Sequence, residues 1–350
     1  MKKYYTRVCN FYYGNISKKL VKQKKTLPLN GNAEISFDHI EILSRNFKKK
    51  IHIKKIKKLS KFLKNKVNKD IKIIIKKNKN FSNFSFKNIP NIMGILNLTP
   101  DSFSDGEKFK KKSLGYKQAA LLFRHGANIV DVGGESTRPG SKTIKTKVEW
   151  NRINSTIKKF KKKIVLSLDT RKSEIMEKGI KIGVKLINDI SGLKYDKKSI
   201  NVLKKYNTPF VIHHIQGTPT TMQINPKYKN VLFDIYDFFE EKIKYLRFKG
   251  IKHKHIIVDP GIGFGKKLKH NMKLISNVSI FHSLGFPILL GVSRKRFIKD
   301  ISGNNDSEKR LGGTISASLF AMMQGVQILR IHDVNDVIQG AKVFNELIKD

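Results

Sequence analysis

The sequence predicts an α/β protein whose main body is a (β/α)8 TIM barrel, on three observations. Eight short apolar, β-rich runs recur between Asn91 and the C-terminus. Longer amphipathic stretches separate them, and polar, charged or glycine-rich residues crowd just behind each run. Strands that read as nearly continuous hydrophobic runs belong to a parallel sheet covered on both faces. Eight strand–helix units in residues 91–350 match the size of a closed barrel, about 250 residues. An open doubly wound sheet is the alternative, but it has no reason to stop at eight.

Taken in order, residues 1–90 form a basic N-terminal extension, a small α/β appendage. A strand is predicted over Ile35–Leu43. A helix follows over Ile53–Val67, where Ile56, Leu59, Phe62, Leu63 and Val67 fall at helical spacing. A further strand is predicted over Ile71–Ile75. The barrel domain, 91–350, then supplies strands at Ile92–Leu96, Asn128–Val132, Ile164–Leu168, Val184–Ile187, Pro209–His213, His255–Val258, Pro287–Leu290 and Val326–Ile331. Helical patterning lies between them, as at Leu114–Gly126, Ser173–Gly183, Val231–Gly250 and Thr314–Gly325.

Composition narrows the function classes. No apolar run approaches the roughly 20 residues of a membrane span. Met1–Arg7 is basic with no apolar stretch behind it, so export is not expected and the cytoplasm is the expected location. The single cysteine, Cys9, excludes a disulfide framework, a cysteine-rich zinc site and a CxxC pair. The net charge of +45 is the footprint of a nucleic-acid binder. Yet the excess is spread along the chain: residues 1–90 carry 25 basic and 4 acidic residues, and residues 91–350 carry 47 and 23. A lysine-rich solvated surface is the preferred reading, and its field favours small anionic substrates.

Active sites of such barrels lie at the C-terminal ends of the strands. The segments found there are NLTPDSFSDG from Asn97, DVGGESTRPG from Asp131, SLDTRKS through Asp169, INDISGL through Asn188, DPGIGFGK from Asp259, GVSRKRF from Gly291 and RIHDV from Arg330. Seven such segments in this order closely resemble the dihydropteroate synthase family of pterin-binding barrels, over about three quarters of the chain. The resemblance says nothing of residues 1–90.

What the resemblance implies is a condensation of 6-hydroxymethyl-7,8-dihydropterin diphosphate with p-aminobenzoate. Asp169, Asn188 and Asp259 match the pterin pocket, Asp131 lies close enough to favour positive charge on the ring, and Lys295 touches the ring carbonyl. Asn97, Arg138, Arg330 and His332 match the diphosphate site, with Asn97 also holding Mg2+ as cofactor. Arg330 and His332, two apart on a strand, point the same way. Thr137, Arg138 and Pro139 would flank p-aminobenzoate, with Phe264 or Phe103 as an apolar wall. Asp105 and Ser136 belong to the two mobile lid loops. The family implies a homodimer. No protein nucleophile is needed, in keeping with the lack of a GxSxG elbow.

Two patterns are discounted or left open. Gly261–Gly265 has the wrong spacing for a dinucleotide fingerprint. Of His213 and His214, at most one faces the site, as a pocket-lining or a core residue. The competing functions are a methyltetrahydrofolate-binding methyltransferase barrel, which would not need the Arg138, Arg330 and His332 cluster, and a basic nucleic-acid-binding protein. Glu107 stands where a second glycine is common, and Arg296 where some relatives have serine.

Overall fold

A computed structural model describes residues 3–77, 90–99, 108–160 and 164–349, the side chains of 108–113 excepted. The barrel strands are β5 (Asn91–Asn97), β6 (Ile129–Gly133), β7 (Val165–Asp169), β8 (Leu186–Asp189), β9 (Phe210–His213), β10 (Ile256–Asp259), β11 (Leu289–Leu290) and β12 (Ile328–Ile331). All pair in parallel in the order β10-β9-β8-β7-β6-β5-β12-β11. A parallel bridge between Val258 and Ile288 closes the ring. An open sheet is thereby excluded.

Side chains alternate between the two faces of a strand. One residue per strand, Met93, Ile129, Val165, Leu186, Val211, Ile257, Leu289 and Ile328, fills the barrel interior. A second, larger core lies between the strands and the surrounding helices. Moving two residues towards the C-terminus keeps a side chain on the inner face. That step brings up Asp131, Asn188, His213, Asp259 and Arg330, and two more bring Asp169 on β7. The functional rim is thus the polar layer stacked directly above an apolar plug.

The helices follow the predicted pattern with shifted ends: α3 (Lys108–Arg124), α4 (Thr146–Phe160), α5 (Ser173–Lys181), α6 (Ser199–Tyr206), α7 (Val231–Phe248), α8 (Leu268–Ser276), α9 (Arg296–Ser302), α10 (Leu311–Met323) and α11 (Val334–Leu347). None among the described residues is long and apolar enough to cross a membrane.

The N-terminal unit is more regular than the sequence reading allowed. Strands β1 (Tyr5–Tyr13), β2 (Leu27–Leu29), β3 (Asn32–Ser44) and β4 (Phe47–His52) form an antiparallel sheet in which β3 pairs with all three others. Helix α1 (Gly14–Lys22) follows β1, and a 3-10 turn at Ile53–Lys58 precedes α2 (Lys61–Ile74). The strand predicted over Ile71–Ile75 is wrong, because most of it is the last turn of α2. Val67, Ile71 and Ile74 recur at helical spacing and are buried together under the sheet. That shared burial outweighs the β-propensity of an isoleucine run.

This unit packs on the first turns of α7 and on the segments that precede β11 and β12. The Tyr5 ring stacks on Phe233 of α7 at 4.3 Å, and its hydroxyl donates to Asp237 at 2.9 Å. Ser279 Oγ donates to the Val8 carbonyl, and Tyr13 donates to the Met323 carbonyl. Gly325, at φ +74°, leaves no room for a Cβ beside Leu29. The segments touched here lie on α7 or lead into β11 and β12.

Candidate active site

Strand register assembles the site. Asn97, Gly133, Asp169 and Asn188 stand side by side on neighbouring strands, and His213 stands beside Asp259. Gly133 opens a gap in this row, since a Cβ there would sit 3.7 Å from both Asn97 Oδ1 and Asp169 Oδ2. Arg330 reaches in from β12, donating from Nε to Asp131 Oδ2 at 2.7 Å and from NH2 to Asp169 Oδ2 at 2.8 Å. Asn188 Nδ2 donates to the same Asp131 oxygen at 2.9 Å. Two atoms at the centre of this cluster, Asp131 Oδ1 and Asn188 Oδ1, are buried without a hydrogen-bond partner.

Burial dominates the electrostatics. It pushes Asp169 up to about 7, outweighing Arg330, with Asp131, Glu149 and Asp189 adding repulsion. It raises Asp259 to about 6, although the Gly261 amide donates to its Oδ1 at 2.7 Å. Burial, with Arg330 nearby, lowers Lys295 to about 8. The Lys295 ammonium lies 4.3 Å from the centre of the Phe264 ring, an arrangement in which the ring face attracts the cation.

His332 is not one of the cations. Burial and the charges of Arg330, Arg294, Lys295 and Arg138 push it down to about 3. The Ser293 hydroxyl oxygen accepts the His332 amide and lies 3.0 Å from Nδ1. Asp333 holds Arg294 in a two-pronged ion pair.

His213 is the histidine that faces the site. Its Nδ1 lies 3.1 Å from the Ile190 carbonyl and its ring meets Phe264 edge-on. His214 turns outward to Phe238 and Lys266. The loop of Ser136, Thr137, Arg138 and Pro139 runs between β6 and α4, tied down by Ser141 Oγ on the Ser136 carbonyl and by the Gly140 amide on the Pro219 carbonyl. Its Arg138 charge is felt at His332. Asp105 and Phe103 lie outside the described residues.

Sequence reasoning assigned no role to Glu135, Glu149, Arg171 and Lys172, a buried ionic cluster behind that loop. The signal was present, because three of these charges stand inside the GGESTRPG and SLDTRKS segments.

The arrangement pairs three buried acids with arginine and lysine at one barrel mouth. Comparison with known proteins gives the family. Residues 93–332 match the family model described as pterin binding enzyme. The chain is 38% identical over 256 residues to the dihydropteroate synthase of Escherichia coli K12, covering 73% of this chain and 90% of that one. Among solved structures, Xanthomonas albilineans dihydropteroate synthase with 4-aminobenzoic acid aligns at TM-score 0.70 and 33% identity, over 74% of this chain and 93% of that one. The same enzyme in complex with 7,8-dihydropteroate aligns at TM-score 0.68 and 29% identity, over 75% and 95%.

Proposed function

The chain belongs to the pterin binding enzymes, as a dihydropteroate synthase, and from that premise we propose how its rim performs the reaction. The enzyme is a transferase that joins 6-hydroxymethyl-7,8-dihydropterin diphosphate to p-aminobenzoate, giving 7,8-dihydropteroate and diphosphate. One observation carries the assignment of roles. Asp131 Oδ1 and Asn188 Oδ1 are buried acceptors without donors. An unpaired buried acceptor costs about 1–3 kcal/mol, and the amino and ring N–H groups of a pterin would satisfy both.

The C–O bond to diphosphate breaks with its electron pair leaving on oxygen. Positive charge then spreads over the pterin, facing Asp131, Asp169 and Asp259. Fixed acids at the place where charge develops stabilise that state without reorganising. The neutral arylamine attacks the exocyclic carbon, and the proton it sheds as the C–N bond forms passes to the departing diphosphate. Arg330 has five N–H donors, of which two serve Asp131 and Asp169; the others point the diphosphate role to it, with Lys295, Arg138 and His332. Thr137, Arg138, Pro139 and Phe264 receive p-aminobenzoate.

Mg2+, when bound, would offset the charge of the departing diphosphate. Asn97 would hold it through Oδ1, a hard oxygen beside Asp169 of the kind Mg2+ takes when phosphates fill most of its shell. We also propose a homodimer built on α10, whose Leu311–Met323 contains no charged residue yet leaves Phe320 44% exposed. The cytoplasm is the proposed location. The test is an assay of the purified protein with dihydropterin diphosphate, p-aminobenzoate and Mg2+, alongside Asp169→Asn. Dihydropteroate formation with pterin binding lost in the variant is expected; wild-type pterin affinity in Asp169→Asn would refute the pocket.

A further inference from the structure

Glu135, Glu149, Arg171 and Lys172 are all nearly buried. The Lys172 ammonium uses its three protons on Glu135 Oε1 at 3.1 Å, Glu149 Oε2 at 2.6 Å and the Ile144 carbonyl at 2.7 Å. The Ile144 amide returns to Glu135 Oε1 at 2.8 Å. Arg171 donates to Glu135 Oε2 from Nε at 3.1 Å and to Thr143 Oγ1 from NH2 at 3.0 Å, with its guanidinium 4.4 Å from the Tyr195 ring. Thr170 Oγ1 donates to Glu149 Oε1 at 2.6 Å. The loop of Ser136–Lys142 therefore leaves the barrel at Glu135 and re-enters at Thr143 and Ile144 through one ionic knot.

Buried ion pairs are a poor source of stability, because desolvation offsets most of their attraction, and apolar residues of equal volume often serve as well. What charged hydrogen bonds add is direction. Thr170, Arg171 and Lys172 directly follow Asp169 in the chain. One short segment thus delivers a pterin-binding acid to the rim and clamps both ends of the loop that carries Thr137, Arg138 and Pro139. We infer that Lys172 and Glu135 are positioning residues for the acceptor: they set that loop above the bound pterin and govern p-aminobenzoate binding without touching it. The inference rests on the assignment of p-aminobenzoate to that loop.

The test compares KM for each substrate, and the affinity for a pterin analogue, in full-length variants. Lys172→Met leaves the buried Glu149 without a cation, although Glu135 keeps Arg171, and endangers the fold, so Glu135→Gln and Thr143→Ala are read beside it. In Thr143→Ala every buried charge keeps an ionic partner. Misplacement by about 1 Å can cost on the order of 100-fold, so KM for p-aminobenzoate should rise roughly tenfold in Glu135→Gln and about threefold in Thr143→Ala. KM for the pterin substrate and analogue affinity should stay within about twofold. Thr143→Ser, which restores the acceptor of the Arg171 contact, should return KM to the wild-type value. Equal losses for both substrates, or an unchanged acceptor KM in Glu135→Gln, would overturn the inference. Arg138→Ala separates the two readings. If it leaves the acceptor KM unchanged, the loop assignment falls; if it raises that KM while Glu135→Gln does not, the positioning role alone falls.

Discussion

Arg330 on the last barrel strand donates to Asp131 on the second at 2.7 Å, across 199 residues of chain. The acid is fully buried and shares the same oxygen with Asn188. Asp131→Asn keeps an acceptor for Arg330 but removes the negative charge that faces the pterin cation. An interaction made chiefly in the transition state lowers kcat rather than raising KM. A loss of roughly 100- to 1,000-fold in kcat is expected, together with a higher KM for the pterin substrate, because the amide nitrogen takes the place of one acceptor oxygen. Steady-state rates decide it, and a variant within a few-fold of wild type would remove Asp131 from the chemistry.

The pH dependence follows from opposed shifts on one rim. Asp169 and Asp259 are raised by burial to about 7 and about 6, so both lose their charge as pH falls through that range. Lys295 is lowered by burial to about 8, so it loses its charge as pH rises through that value. Ionised acids and a protonated lysine coexist only in a narrow window. The kcat/KM for dihydropterin diphosphate should be bell-shaped, with limbs belonging to the free enzyme. Lys295→Arg should flatten the alkaline limb, because arginine does not titrate there. A level profile from about pH 5.5 to 9 would contradict these shifts.

Removing the Tyr5 ring tests whether the N-terminal unit braces the barrel. Tyr5→Ala deletes the stack on Phe233 and the bond to Asp237, at a site 3% exposed. Losses for buried aromatic truncations run at about 3–5 kcal/mol. The midpoint of urea unfolding should fall accordingly while kcat stays at the wild-type value, since no rim residue takes part in the contact. Unchanged stability would mean that the unit is an independent passenger.

The barrel was legible because it is written in two periods at once. Runs such as Ile129–Val132 announce strands, and the step of two along them carries an apolar plug into a polar rim at Asp131. The roles of Glu135 and Lys172 were not legible, although their letters sit in the matched segments, because only the fold shows that they meet. The neutral state of His332 was not legible for a related reason. Its neutrality depends on Arg330, Arg294 and Lys295 gathering around it. At the N-terminus, Ile71 and Ile74 read as strand because the partner sheet that buries them comes from β1 and β3, far off in sequence.

Helix α10 offers the last prediction. Its thirteen residues, Leu311–Met323, carry no charge in a chain that is 28% charged, and Phe320 and Met323 remain 44% and 37% exposed. A helix without a charged face is normally covered, and a second copy of the chain would cover Phe320 and Met323. The net charge of +45 works against such pairing by self-repulsion. Salt at about 0.1 M screens charges over about 10 Å, so the dimer should tighten as salt is raised, opposite to a contact held by ion pairs. Phe320→Glu should weaken association by on the order of 2 kcal/mol, about 30-fold in Kd. Sedimentation equilibrium reads both effects. A wild-type chain that sediments at 40.2 kDa at every salt concentration would leave α10 without this partner.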